Sequence, residues 1–142
     1  MKEKSIFLLI HSMNQVTNHL IIQWNKMFKE NLGISHILVL GHLKENGKSR
    51  PSDIAKTLGL TPATLTHLSE KLVKKKLATR LVDDDDRRIV YLAITDKGID
   101  MIKKAHEEGK AIRIDLFEKL TDEERQHLLS IYEKLNNSIR GF

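Results

Sequence analysis

The run Thr61-Pro62-Ala63-Thr64-Leu65-Thr66-His67-Leu68-Ser69-Glu70-Lys71-Leu72-Val73-Lys74-Lys75, with the two short apolar segments after it, constrains this chain most. Thr61 is a good helix N-cap, because its hydroxyl accepts from a free N–H of the first turn. Pro62 falls at the first helical position, where its missing N–H costs nothing. Leu65, Leu68 and Leu72 recur at i, i+3 and i+7 and make one narrow apolar stripe. The other side carries Thr64, Thr66, His67, Lys71, Lys74 and Lys75, with hydroxyls towards the N-terminal end and cations towards the C-terminal end. A helix dressed this way suits base edges at its start and a phosphate backbone along its tail. Taken alone it reads equally well as an amphipathic helix with a solvated, dipole-compensating lysine face.

The residues that follow decide between these readings. Leu77–Val82 and Ile89–Ile94 read as strands, joined by Asp83-Asp84-Asp85-Asp86-Arg87-Arg88. Upstream, Pro51-Ser52-Asp53 opens a short helix with Ile54, Ala55 and Leu58 on its inner side, and Gly59 closes it. Two short helices meeting at a glycine, then a hairpin with arginines at its tip, are the parts of a winged helix-turn-helix. Charge placement agrees. The formal net charge is +5, and Thr61–Val82 holds Lys71, Lys74, Lys75, Lys76 and Arg80 against Glu70 alone. The stretch from Asp96 onward is nearly balanced, so the positive field belongs to the middle of the chain.

The flanks are helical. Phe7, Ile10, Met13, Leu20, Trp24, Met27 and Phe28 predict a long helix from Ser5 to about Asn31, with Gly33 as terminator. Its stripe is richer than one short subunit covers. Ser35 is the expected cap of the next helix, which runs to the turn at Asn46-Gly47. Thr95 caps a helix carrying Ile99, Met101, Ile102, Ala105, Ile112, Leu116 and Phe117. Thr121 with Glu124 forms a capping box for the last one. The expected fold is mainly α with a small β-hairpin wing. Residues 34–96 form the winged helix-turn-helix, and 1–33 with 97–142 form a helical dimerisation lobe from both chain ends. A dimer would present two recognition helices to two half-sites of a pseudo-palindrome.

Several functions are disfavoured. The chain has no cysteine, which removes disulfides, thiolate metal sites and thiol-based sensing or catalysis. The apolar run Ser5–Ile10 is broken by His11, Asn14 and Gln15 before it reaches the length of a signal or membrane span, so a cytoplasmic protein without membrane partners is expected. No phosphate-cradling glycine loop or nucleophile motif is present, and the chain does not read as an enzyme. No cofactor is implied. No two histidines stand four apart, and no metal site is assigned.

The spacing Arg80-x-x-Asp83-x-x-Asp86-Arg87-Arg88, then Leu92-x-Ile94-Thr95-x-Lys97-Gly98, resembles the MarR family of bacterial transcriptional regulators. The resemblance extends back through Arg50–Leu60 and covers nearly the whole chain. It implies a homodimer whose chain ends interleave across a two-fold axis. It implies binding to a pseudo-palindromic double-stranded DNA operator, most often as a repressor relieved by a small aromatic or amphipathic ligand. On this pattern Thr61, Ala63, Thr64, Thr66, His67, Lys71 and Lys74 form the DNA face of the helix. Asp86 orients Arg88 for the minor groove, Arg87 lies near the backbone, and Asp83 either pairs with Arg80 or caps the hairpin. His11, Met13, Trp24, His42 and Met101 are candidate walls of a ligand pocket. His67 departs from the family's common arginine, and an imidazole is a weaker, more selective contact than a guanidinium. Lys76 stands where the family tends to place glycine: either it adopts a left-handed turn, or the helix ends differently. Two rivals remain: a metal-responsive regulator of the same fold, and a helical protein–protein adaptor that no longer reads DNA.

Overall fold

The computed structural model describes residues 2–141. Six helices and one hairpin follow in the order α1 (Lys2–Met27), α2 (Ile34–Asn46), α3 (Pro51–Leu58), α4 (Pro62–Lys74), β1 (Ala78–Val82), β2 (Val90–Ile94), α5 (Asp96–Phe117) and α6 (Asp122–Arg140). The chain divides into two compact units, Trp24–Glu108 and Met1–Gln23 with Gly109–Phe142.

The unit Trp24–Glu108 is a winged helix built on one apolar core. Val39, Leu40 and Leu43 of α2, Ile54 of α3, Leu65 and Leu72 of α4, Leu77, Leu92 of β2 and Ile102 of α5 are all essentially inaccessible to solvent. These are the positions that helical and alternating periodicity assigns to an inner face. Gly59 closes α3 in the left-handed conformation (φ 68°), and Leu60 N–H returns to Ala55 O at 2.8 Å. That turn aims the chain straight into α4. The hairpin is antiparallel, pairing Ala78 with Ile94, Arg80 with Leu92 and Val82 with Val90. A third, one-residue strand joins it: Ser49 and Leu92 exchange backbone hydrogen bonds, each of 2.9 Å. The wing is thereby stitched to the segment between α2 and α3.

Several expected boundaries move. Each strand begins one residue later than expected, at Ala78 and Val90. The first helix begins at Lys2 rather than Ser5 and ends at Met27 rather than near Asn31, and Asn31 itself takes a left-handed φ of 56°. The second helix begins at Ile34, so Gly33 and not Ser35 holds the N-cap position. There the Gly33 N–H donates to His36 Nδ1 at 3.0 Å, a bond that anchors the helix start and leaves Ser35 inside the first turn.

Over its described residues, 2–23 and 109–141, the other unit is built of helices. Thr121 caps α6 by accepting from Glu124 N–H at 3.2 Å, and Glu124 Oε1 returns to the Thr121 N–H at 2.9 Å. This is the expected capping box. Arg125 donates to Leu120 O at 2.9 Å and Phe117 O at 3.2 Å, satisfying carbonyls at the end of α5. None of the residues of α6 is buried. Phe7, Leu9 and Ile139 are each about two-thirds exposed or more (70%, 67% and 66%).

Candidate nucleic-acid interface

The side of α4 away from the core is a continuous polar strip. Leu65, Leu68, Ser69 and Leu72 are buried, while Ala63, Thr64, Thr66, His67, Glu70 and Lys74 are exposed and Lys71 is half-buried. The first turn is organised by its own hydroxyls. Thr61 Oγ1 accepts from Thr64 N–H at 3.1 Å and donates to Thr64 Oγ1 at 2.8 Å; Thr66 Oγ1 donates to Pro62 O at 2.9 Å. Cations gather at the far end, Lys71 and Lys74 in the last turn and Lys75 at the C-cap.

The end of α4 answers the question posed by Lys76. Its φ is 64°, so a lysine takes the left-handed turn that glycine usually makes. Lys76 N–H bonds Val73 O, and Leu77 N–H bonds Leu72 O, both at 2.9 Å, the double closure of a Schellman turn. The start of α5 then covers the remaining carbonyls. Thr95 Oγ1 donates to Lys76 O at 2.7 Å, and Lys97 Nζ donates to Lys75 O at 3.1 Å. Gly98 is buried directly beneath Leu77, where a Cβ would run into the Leu77 carbonyl oxygen and Ile94 Cγ1. The three residues Thr95, Lys97 and Gly98 thus clamp the exit of α4 to the entry of α5.

The wing tip is held by two of its four aspartates. Asp83 Oδ2 accepts from the N–H groups of Asp85 and Asp86 at 3.1 and 3.0 Å, and its Oδ1 accepts from Tyr91 Oη at 3.0 Å. Of the two roles open to Asp83 it takes the capping one; among the described residues Arg80 makes no ion pair with it. The Tyr91 hydroxyl and the two backbone N–H groups hold the Asp83 carboxyl below its ordinary range. Lys48 sits over the Tyr91 ring, 4.8 Å from its centroid, and adds a cation beneath the hairpin. Asp86 grips Arg88 by both oxygens, Nε to Oδ1 and Nη2 to Oδ2 at 3.1 Å each, and also accepts the Arg88 N–H at 3.0 Å. Its carboxyl is lowered first by that guanidinium bond and then by the backbone one. Arg87, Arg88, Asp84 and Asp85 project into solvent.

The candidate ligand walls divide differently. Trp24 is buried and stacked on Phe28, with centroids 4.5 Å apart, and its Nε1 donates to Ala105 O at 3.2 Å, which makes it part of the frame of its unit. His42 and Met101 are half-buried in the same unit, and His11 and Met13 are exposed on α1. His36, with Nδ1 bound to the Gly33 N–H, has Nε2 buried and without a partner among the described residues. Burial, then Lys71, His67 and Lys75 nearby on and after α4, lower its pKa below the ordinary imidazole value.

Comparison with known proteins places this geometry. A model of the MarR family matches residues 32–90. Over 104 residues the chain is 30% identical to YhbI of Bacillus subtilis (strain 168), an uncharacterized HTH-type transcriptional regulator, spanning 73% of this chain and 68% of that one. It is also 30% identical, over 109 residues, to the HTH-type transcriptional repressor MdtR of the same organism, with 77% of this chain and 70% of that one covered. The fold superposes on the crystal structure of YusO from Bacillus subtilis with a TM-score of 0.81 at 25% identity, over 96% of this chain and 98% of that one. This chain belongs to the MarR family. As a MarR-family transcriptional regulator it carries features that sequence reasoning missed. Glu70 sits among the exposed residues of α4, although in the sequence it counts only as a charge. The Ser49 bridge and the Lys48–Tyr91 contact tie the wing to the core, and no local pattern announces either.

Proposed function

We propose that this MarR-family protein is a cytoplasmic homodimeric repressor that binds a pseudo-palindromic double-stranded operator, with α4 in the major groove and the wing at the adjacent minor groove. The observation that carries this is the bidentate Asp86–Arg88 pair at the hairpin tip. A carboxylate that holds a guanidinium in a fixed, solvent-facing pose prepares it for insertion before contact, so less ordering entropy is lost on binding. Four consecutive aspartates facing phosphates would repel DNA, and the hairpin lessens that cost: Asp83 and Asp86 are hydrogen-bonded within it, and only Asp84 and Asp85 face outward without a side-chain partner among the described residues. On α4, Thr61, Ala63, Thr64, Thr66 and His67 meet the bases, and Lys71 and Lys74 meet the backbone.

Uncovered apolar surface supports the dimer. Leu8, Leu9 and Met13 of α1, and Leu129, Ile131, Tyr132, Leu135 and Ile139 of α6, are exposed in the isolated chain. A soluble monomer rarely leaves such a set in water, and a second copy buries it. Relief by a small aromatic or amphipathic ligand belongs to the same proposal, acting as a population shift between dimers that fit the operator and dimers that do not.

The deciding experiment is binding to DNA upstream of the protein's own gene, against scrambled competitor, across a salt series. Saturable binding that survives competitor, at one dimer per pseudo-palindrome, is expected. Binding that competitor erases at every salt concentration refutes the repressor reading and favours an adaptor.

A further inference from the structure

The hydrogen-bonding polarity of α4 is partly decided before DNA arrives. Thr66 has a single hydroxyl proton, and that proton is donated to Pro62 O at 2.9 Å. A carbonyl cannot donate, so the direction of this bond is unambiguous, and Thr66 shows solvent only lone pairs. Glu70 lies one helical turn further on, exposed, with no ion pair or side-chain hydrogen bond among the described residues. An ionised carboxylate also offers only lone pairs. The two residues stand at i and i+4, so their Cβ atoms lie about 5–6 Å apart on one flank of the helix.

We propose that Thr66 and Glu70 form an acceptor-only pair that reads the exocyclic amines of adenine or cytosine in the major groove. The inference rests on the DNA-binding reading given above and narrows it. Phosphate oxygens carry no proton, so neither group bonds the backbone. Guanine O6 and N7 and thymine O4 are acceptors and repel both. Among the base edges of the major groove only adenine N6 and cytosine N4 donate. Stacked bases rise about 3.4 Å, so side chains one helical turn apart reach bases one or two steps apart. The carboxylate also penalises every register in which Glu70 faces a phosphate, while Lys74, one turn beyond, anchors the register that is left.

The test selects binding sites from a randomised duplex library with the full-length protein and with Thr66→Val and Glu70→Gln. The wild-type protein should enrich amine-bearing bases at two positions in each half-site. Thr66→Val should abolish the preference at one of them, and Glu70→Gln should move the other towards adenine, whose N6 and N7 an amide engages together. A second arm needs no protein variant. Replacing the selected adenine by the deoxynucleoside of purine, or the selected cytosine by that of 2-pyrimidinone, removes the amine together with its Watson–Crick bond, and should weaken wild-type binding about tenfold or more relative to the same replacement at an unselected position. A selected sequence that tolerates loss of both amines overturns the pair while leaving the repressor reading intact. So do variants that weaken all sequences alike or keep the wild-type preferences. Failure of the wild-type protein to enrich any sequence overturns the DNA-binding reading and this inference with it.

Discussion

Asp86 holds Arg88 through both carboxylate oxygens, 3.1 Å from Nε and 3.1 Å from Nη2, at a hairpin tip where the arginine is otherwise surrounded by solvent. An exposed pair of this kind contributes little to folding. Its effect lies in orientation. Asp86→Asn should therefore reduce operator affinity even though it removes a negative charge from a surface that meets DNA. Arg88→Ala should reduce it by about 1–3 kcal/mol and relax preference for a narrow A·T-rich minor groove. Titration of each variant against operators that differ only in the flanking A·T content separates the effects. An Asp86→Asn protein that binds every sequence more tightly shows the carboxylate to be only a repeller.

Lys74 has the opposite character. It is exposed in the last turn of α4, beyond the residues assigned to bases. Lys74→Ala should weaken all sequences alike and lower the slope of log affinity against log salt by about one, as expected when one fewer phosphate is neutralised. A change confined to a single base pair contradicts that placement.

Lys76 stores strain at the exit of the same helix. An L-residue in the left-handed region costs roughly 1–2 kcal/mol, part of which glycine returns as unfolded-state entropy. Lys76→Gly should consequently raise stability by about 0.5–1 kcal/mol, read as a higher urea midpoint at unchanged slope. Lys76→Ala removes the charge but keeps the strain, so it should give no such gain. Equal gains from both would locate the effect in charge repulsion among Lys74, Lys75 and Lys76.

What was legible in the sequence was local. Thr61 before Pro62, Gly59 after α3, and Thr121 with Glu124 each satisfy or close a helix end within a few residues, and their chemistry is visible in the string. The Asp83 and Lys76 alternatives stayed open because each is settled by a distant partner. Tyr91, eight residues on, takes one oxygen of Asp83. Thr95 and Lys97 bond the carbonyls of Lys76 and Lys75, and Gly98 admits the Leu77 carbonyl, so the strained turn is over-determined from outside. The start of α2 departs from the sequence expectation for a similar reason. Ser35 is the better cap by residue type, yet His36 secures the Gly33 N–H, a pairing that the usual Glu or Gln rule does not include.

That His36 cap makes the domain sensitive to acid. The bond from Gly33 requires an unprotonated Nδ1, and burial with Lys71, His67 and Lys75 nearby already disfavours the cation. The folded-state pKa is thus depressed below the unfolded value of about 6.5. The unfolded chain binds the proton more readily, so this contribution to stability is complete above about pH 6.5 and is lost as pH falls through the folded pKa. Thermal melts over that window should show a decline in midpoint for the wild-type protein. His36→Gln supplies the residue type that ordinarily closes a capping box at this position and cannot titrate. It should keep the midpoint near neutrality and flatten the decline below it. A decline of the same size in His36→Gln would assign the acid sensitivity to other groups.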